Sequence, residues 1–432
     1  MSGPSRTDVS EPGGAVARSS SDPSTGSGRN PGEAAVRAAC DDVRDGGPSD
    51  HVDGVVPGLV ARPGSTEEVA AVMGAAAAHR LTVVPRGRGT RMSWGLPPTS
   101  ADLVVDVSRL DRVVDHAAGD LVVVTQAGAR LSNVQETLAS ARQQLSVDEM
   151  APGTTIGGSI AVAGSGPRRH VVGTLRDLMI GTTVVRADGV VAHSGGRVVK
   201  NVAGYDLGKL LVGSFGTLAV VTEAVFRLHP VAEVRRWVTA PAADADAAHR
   251  LVHAVVHSQA VPTAVELDRP VTGPGSVSVL LEGREDGVAG RARTVRELLG
   301  PEAVEADDEP AGWAAYPWRE GDTAVKLTTV LSGLRDVVAE AREVGAHLRG
   351  SAGTGVLHAA VADPFRAPDA VARLRSVCAR HGGTVVVLDA PPEVEAAVDV
   401  WGPVPALDLM RRLKDRFDSD HRLAPGRFVG GI

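Results

Sequence analysis

PRGRGT, Pro85 to Thr90, and APGTTIGGSIAVAGSG, Ala151 to Gly166, are the two stretches on which the reading of this chain turns. The first follows an apolar, strand-like run, Leu81 to Pro85. Gly87 and Gly89 permit positive φ and let the backbone come close to a ligand. Successive main-chain N–H groups in such a turn form a concave anion site, and Arg86, Arg88 and Arg91 stand ready to add positive charge. A hydrogen bond to a charged group is worth roughly 1.5–3 kcal/mol net, so several converging donors hold a pyrophosphate where one does not. The competing reading is an arginine-bearing surface turn. The spacing is not that of a P-loop, which ends in Gly-Lys-Ser/Thr. Nor is it G-x-G-x-x-G opening a helix, because Trp94-Gly95-Leu96-Pro97-Pro98 stops any helix there. A nucleotide held here is held in a non-Rossmann fold.

The second stretch carries Gly153, Gly157, Gly158, Gly164 and Gly166 among Thr and Ser hydroxyls. So many glycines are costly to order. Either the backbone packs tightly there or a flat ligand approaches it. Arg168-Arg169-His170 follows, then GTLRDLMIG (Gly173 to Gly181), then GGRVVKNVAGYDLGKLLVGSFGTLAVVTEAVFRLHP (Gly195 to Pro230).

Outward from these blocks the pattern alternates between strand and helix. Residues 1–32 are Ser, Gly, Pro and Arg rich and read as a disordered extension. Helical periodicity begins near Glu33 and runs to Val43, and a strand reads at Val52 to Val60. Ser65 and Glu68 form a capping-box signature ahead of a helix whose apolar face is Val69, Val72, Met73 and Ala76. Strands read at Leu103 to Val107 and Leu121 to Gln126, with a helix at Leu131 to Ala141. Asp188-Gly189 joins Thr182–Ala187 to Val190–His193 as a hairpin, and Leu218 to Leu228 is a long strand. Beyond Pro230, strands at 232–240, 262–267, 277–282, 323–330, 355–361 and 384–389 are interleaved with Ala-rich helices, the rhythm of an antiparallel sheet with helices on one face. The expected units are 33–230, a second domain at 231–400, and a segment 401–432 returning to the first; the fold class is α+β.

Composition narrows the chemistry. Aromatic residues are only 3% of the chain, so Ala, Val and Leu must build the interior and an aromatic cage for a ligand is not expected. A formal charge of −7 argues against nucleic acid as a partner. Cys40 and Cys378 have no metal-type spacing, no disulfide framework is expected, and the histidines and cysteines suggest no zinc site. No apolar run is long enough to span a bilayer and no secretory signal is present, so the expected location is cytoplasmic, or at the inner membrane face through a partner.

Taken in order, PRGRGT, TIGGSIAVAGSGPRR, GTLRDLMIG, KNVAGYDL and GSFGTLAVVTE resemble the vanillyl-alcohol-oxidase-type (PCMH-type) FAD-binding domain, over roughly residues 50–230 and, weakly, LAPGRF at Leu423 to Phe428. Within that superfamily GGRVVKNVAGYD is similar to the E-subunit family of bacterial glycolate oxidases. The resemblance implies a two-lobed FAD-binding domain followed by an α+β cap. It implies that Pro85, Arg86, Gly87, Arg88, Gly89 and Thr90 hold the FAD pyrophosphate through backbone N–H groups. Gly153, Thr154, Ile156, Gly157, Gly158 and Ser159, with Gly164, Ser165 and Gly166, would line pyrophosphate, ribityl chain and flavin. Gly173 and Asp177 match a family position near the flavin ring, and Val221 would meet the adenine through its backbone. Relatives with covalent flavin carry a histidine where Thr90 stands, so non-covalent FAD is expected.

Oxidising a 2-hydroxy acid needs a cationic grip on the carboxylate, a base for the hydroxyl proton, and a hydride acceptor facing the C–H bond. Arg168, Arg169, Lys200 and Lys209 are candidates for the grip; Tyr205, His170 and His358 are candidates for the acid or base. Each has a plain structural alternative, and Arg168 and Arg169 equally suit an interface. Relatives of the D-subunit type carry paired cap histidines that hold a metal, whereas His347, His358 and His381 are scattered here. The leading expectation is an FAD-dependent 2-hydroxy-acid oxidoreductase subunit working with a sister flavoprotein and an iron–sulfur subunit. The alternatives are a stand-alone FAD-linked alcohol or sugar oxidase and a flavin-holding accessory subunit.

Overall fold

The computed structural model describes residues 31–197 and 206–432, and three large sheets organise them, with a two-stranded ribbon of Gln143–Gln144 and His229–Pro230 beside them. The first has the order Val43–Asp45, Leu59–Ala61, Leu103–Asp106, Val83–Arg86, the last three strands running parallel. Helix Thr66–Ala78 covers it with Val69, Val72, Met73 and Ala76, all fully buried. Ser65 caps that helix by accepting the Glu68 N–H, while the Glu68 carboxylate accepts the N–H of Gly64 rather than of Ser65. The helix expected at Glu33–Val43 is Pro31–Ala39, and Val43–Asp45 is a strand. The run expected as a strand at Val52–Val60 is broken by a turn at Asp53-Gly54, where both residues have positive φ, and only Leu59–Ala61 is extended into the sheet. Of the extension read at 1–32, residues 1–30 lie outside the described residues, and Pro31 and Gly32 already belong to the first helix.

The second sheet is antiparallel, in the order Val113–Ala117, Val122–Gln126, Val220–Arg227, Met179–Val185, Val191–Gly195. The Asp188-Gly189 hairpin forms as read, with Val185 opposite Val191 and Gly189 at φ +84°. Its edge strand Val113–Ala117 gave no sequence signal, because Asp115 and His116 interrupt the apolar run. Near the C-terminus, helix Leu407–Phe417 leads to a segment that pairs with the first sheet: Val83 donates to Arg422 O and Ala424 donates to Val83 O. Lys414 is fully buried, donating to Thr217 O at 2.9 Å and Leu423 O at 2.8 Å beside the Asp418 carboxylate.

The third sheet has eight strands, all antiparallel, running from Val304–Ala306 at one edge to Val385–Asp389 at the other. Successive side chains on a strand face opposite sides, so alternation sorts this sheet into two chemistries. Val265, Leu267, Val279, Val325, Leu327, Leu357 and Ala359 pack under the helices Ala245–Val256, Glu285–Leu299, Leu334–Glu343 and Ala367–Arg380. The opposite face carries Glu266, Asp268, Arg349, His358 and Lys326. Asp268 is opposite Arg349, Arg349 opposite His358, and His358 opposite Lys326, so four polar residues form one row across four strands. That face meets the first two sheets. Ser93 donates to Asp389 at 2.9 Å, and Gly95 N–H donates to Leu388 O at 3.2 Å.

Candidate functional site

The two glycine stretches touch. A Cβ on Gly87 would lie 2.4 Å from Thr155 Oγ1, a distance no alanine tolerates without movement. Thr155 is itself committed, capping the short helix Ile156–Ala161 by accepting the Gly158 N–H at 3.1 Å. Gly157 donates to Ala127 O at 2.7 Å. Around Gly157 and Gly158 the second stretch therefore offers bare backbone surface rather than free amides. The first offers the amides: among the described residues the N–H groups of Arg88, Gly89 and Thr90 have no protein acceptor, and Gly89 sits at φ +75°.

The arginines of this loop differ from expectation. Arg86 is paired with Asp106 at 2.8 Å and Asp50 at 3.3 Å, so its charge ties the first sheet together instead of serving an anion. Arg91 lies over the Trp94 ring at 5.1 Å. Arg88 is exposed.

Three cavities share walls. A polar one of about 550 Å³ is lined by Arg86 to Gly89, Asp50 and Ser108. Arg86 and Gly87 also wall a narrow one of about 70 Å³, with Pro85, Gly157, Gly158 and Val221. Phe215 is a wall shared by that one and an inner cavity of about 170 Å³ whose lining includes Gly164 and Ser165. A long ligand with a thin waist fits this succession, since the waist is where side chains are missing on both sides.

Other predicted positions make contacts within the chain. Gly153 and Thr154 donate to the Glu149 carboxylate, and Ile156 and Ser159 are buried. Gly166 has no space for a Cβ beside Asp148 and Met150. Asp177 accepts from the Thr174 N–H at 2.7 Å and hydroxyl at 2.8 Å, which holds its carboxyl below the usual range. With Gly173 at φ +79° it makes a helix cap, and neither residue lines the three cavities. Lys209 pairs with Asp206, the His170 ring lies beside Gly353, and Lys200 and Tyr205 lie outside the described residues.

Arg168 is a clamp, not a free cation. Its guanidinium binds Asp148 and, at 3.0 Å, Glu282 in the eight-stranded sheet, and both carboxylates are nearly buried. Removing one member of such a group strands the others, at a cost of about 3–5 kcal/mol. Arg168→Met is expected to lower unfolding stability by that amount, measured by urea titration of the flavin-loaded protein.

The inner cavity holds the charges that remain. Arg169 and Lys326 both line it, and among the described residues neither makes an ion pair. Burial and the neighbouring Arg169 push the Lys326 ammonium down to about 8, and burial also lowers Arg169. His358 is held down to about 3 by burial and by the Lys326 and Arg169 charges, so it is a neutral imidazole. Tyr316, whose phenol burial raises, stands 5.0 Å from the His358 ring. Behind them Glu266 is pushed up to about 8, chiefly by burial. In the unfolded chain its carboxyl ionises in the ordinary range, so unfolding releases a proton between that range and about pH 8. The stability it confers is full below the unfolded value and is lost as pH rises through the folded one. Glu266→Gln should therefore show a smaller fall in melting temperature than wild type on going from pH 5 to pH 8.

The cavity also overturns an expectation from composition. Of five Trp, two Tyr and five Phe in the chain, Trp94, Trp401, Tyr316, Phe215 and Phe428 all line it. An aromatic-walled pocket was not expected from a 3% aromatic content; scarcity set the number of rings and the fold gathered them. Lys326, Trp94, Trp401, Tyr316 and Phe428 were missed. The available signal was a lone charge inside an apolar strand, in Val325-Lys326-Leu327 as in Leu357-His358-Ala359. Among the described residues no group of three or more His, Cys, Asp or Glu could hold a metal ion, and no helix is long and apolar enough to cross a membrane.

The parallel-stranded lobe, the antiparallel lobe beside it and the glycine-walled cleft between them are those of a PCMH-type FAD-binding domain, and residues 57–195 match the family described as FAD binding domain. The chain is an FAD-binding oxidoreductase homologous to glycolate oxidase subunits. It is 27% identical to glycolate oxidase subunit GlcD of Bacillus subtilis (strain 168) over 419 residues, 86% of this chain and 89% of that subunit. It is 31% identical to glycolate oxidase subunit GlcE of Escherichia coli (strain K12) over 235 residues, 53% of this chain and 63% of that one. A solved structure of a chitooligosaccharide oxidase superposes with a TM-score of 0.67 at 16% identity, covering 91% of this chain and 98% of the other; at that identity the likeness is one of fold.

Proposed function

We propose that this chain oxidises 2-hydroxy acids, with FAD held non-covalently across residues 33–230, substrate specificity set by residues 231–400, and electrons passed on to a partner protein. The observation that carries the reading is the meeting of Arg169 and Lys326, neither of them in an ion pair among the described residues, in a cavity that shares Phe215 with the glycine-walled cleft. Burying unpaired charges is costly, and a substrate carboxylate between them relieves that cost. The free amides of Arg88 to Thr90 and the bare backbone of Gly87, Gly157 and Gly158 suit the diphosphate-linked cofactor.

Bound FAD supplies a hydride acceptor. The chain's own groups do the rest. Arg169 and Lys326 hold the carboxylate, and His358 takes the hydroxyl proton as the alcohol carbon gives up its hydride, leaving a 2-oxo acid. The carboxylate cancels the two charges that suppress His358, so substrate binding itself raises the basicity of the imidazole. Tyr316 holds the ring from one side.

A sister flavoprotein and an iron–sulfur subunit are the partners this reading favours. The only cysteines, Cys40 and Cys378, are buried and separate, so an iron–sulfur centre would be supplied by another chain. Anaerobic addition of D-lactate or glycolate to the purified, flavin-loaded protein should bleach its visible absorption. If no 2-hydroxy acid bleaches it while an aldose does, the sugar-oxidase reading replaces this one. Flavin released by denaturation confirms non-covalent attachment; flavin retained on the polypeptide refutes it.

A further inference from the structure

We infer that the hydroxyl proton of the substrate leaves across the polar face of the eight-stranded sheet, from His358 through a fourth, small cavity to Glu266 and out by the Asp268–His347 pair; this rests on the hydroxy-acid reading above. Among the described residues His358 alone lines both the inner cavity and this small one, so the imidazole is the wall between them. Tyr316 and Trp318, stacked on each other at 4.3 Å, both meet it edge-on, at 5.0 and 5.7 Å. A ring pinned in this way passes a proton by taking it at one nitrogen and giving one up at the other, with no need to turn.

The small cavity, about 40 Å³, has room for about two or three waters at ~10–15 Å³ each, and Glu266, Asp268, Ser276, Ser278 and Arg349 give its lining the polarity to hold them. Glu266 and Asp268 stand two residues apart on one strand and so share its face. Arg349 donates to the Asp268 carboxylate at 2.8 Å, and the His347 ring is bonded to it at 2.7 Å. His347 is partly exposed, which ends the route at solvent. Proton affinity runs the same way. His358 is held down to about 3, whereas burial, helped by the Asp148 charge, raises Glu266 to about 8 against the Ser351 hydroxyl and the Arg169 and Arg349 charges. The step balances: the alcohol O–H proton goes to the free nitrogen of His358 as the C–H hydride goes to the flavin. The other nitrogen gives its proton to the cavity water, and Glu266 takes one proton at one oxygen while releasing one from the other. A single proton reaches solvent for each hydride transferred.

The test uses the flavin-loaded full chain in weakly buffered solution with a pH-indicator dye. D-lactate or glycolate is added anaerobically, and flavin bleaching and proton release are followed together by stopped flow. In wild type the two signals are expected to keep pace. In Glu266→Gln, which keeps the shape but has no proton to relay, release should lag bleaching roughly tenfold or more, and Glu266→Asp should close most of that gap. His347→Asn, at the outer end, should show a smaller lag of the same kind. A merely structural role for Glu266 changes flavin content or the bleaching rate and leaves the two signals together. Release that keeps pace with bleaching in Glu266→Gln, or in His347→Asn should the first variant lose its flavin, overturns the relay and leaves the hydroxy-acid reading standing. If no 2-hydroxy acid bleaches the flavin, that reading falls and the relay with it.

Discussion

Gly87→Val is expected to give a folded protein that retains less than about a tenth of the wild-type flavin. A side chain at this position is driven into Thr155 Oγ1, and because Thr155 is fixed by its bond to the Gly158 N–H, the loop rather than the helix must move. The shift separates the two bare-backbone surfaces that wall the narrow cavity. Gly89 is the milder site: a Cβ there meets only Met92 and Arg86 side-chain atoms at 3.6 and 3.7 Å, leaving positive φ, worth about 1–2 kcal/mol, as the main penalty. Flavin content by absorbance after gel filtration measures both. Pairing Gly87→Ala with Thr155→Ala removes the colliding oxygen at the cost of a helix cap, about 0.5–2 kcal/mol, and should recover flavin relative to Gly87→Ala alone. Equal flavin content in Gly87→Val and wild type would show that the cofactor does not use this waist.

Arg169→Met and Lys326→Met are each expected to lower kcat/KM for a 2-hydroxy acid by about 10–100-fold, the equivalent of one hydrogen bond to a charged group. Losing both should cost roughly the product, unless the surviving cation moves toward the carboxylate. The pH dependence separates them. Lys326 is charged below about 8 and neutral above it, so wild-type kcat/KM should fall as pH rises through that value, and the fall should vanish in Lys326→Met. A guanidinium stays charged throughout this range, so Arg169→Met should keep the limb but move it to higher pH, because the neighbouring charge that lowers Lys326 is gone. A wild-type profile flat from pH 6 to 9 would remove Lys326 from the carboxylate grip.

The glycine loop and the second glycine stretch were legible in the sequence because glycine has few reasons to recur. The apolar faces of helix Thr66–Ala78 and the Asp188-Gly189 hairpin were legible because period and turn chemistry are local. What was not legible depends on contacts across long sequence separations. Arg86 and Arg168 look like free cations in sequence; Asp50 and Asp106 claim the first, Asp148 and Glu282 the second. Lys326 gave no sign of pairing with His358, because only strand register places them opposite. The aromatic walls draw on residues from Trp94 to Phe428 and could not be assembled from a composition figure.

The pairing of the Leu423 segment with Val83 sets an order of events during synthesis. The strand that ends in the nucleotide loop lacks its outer neighbour until some 340 further residues have left the ribosome. Through that interval Leu81 O and Ala187 O await the Arg422 guanidinium, and the pocket for the Lys414 ammonium stands open. The edge beside this loop is thus closed by a segment far along the chain, and a polypeptide synthesised only as far as the eight-stranded sheet still has that edge unpaired.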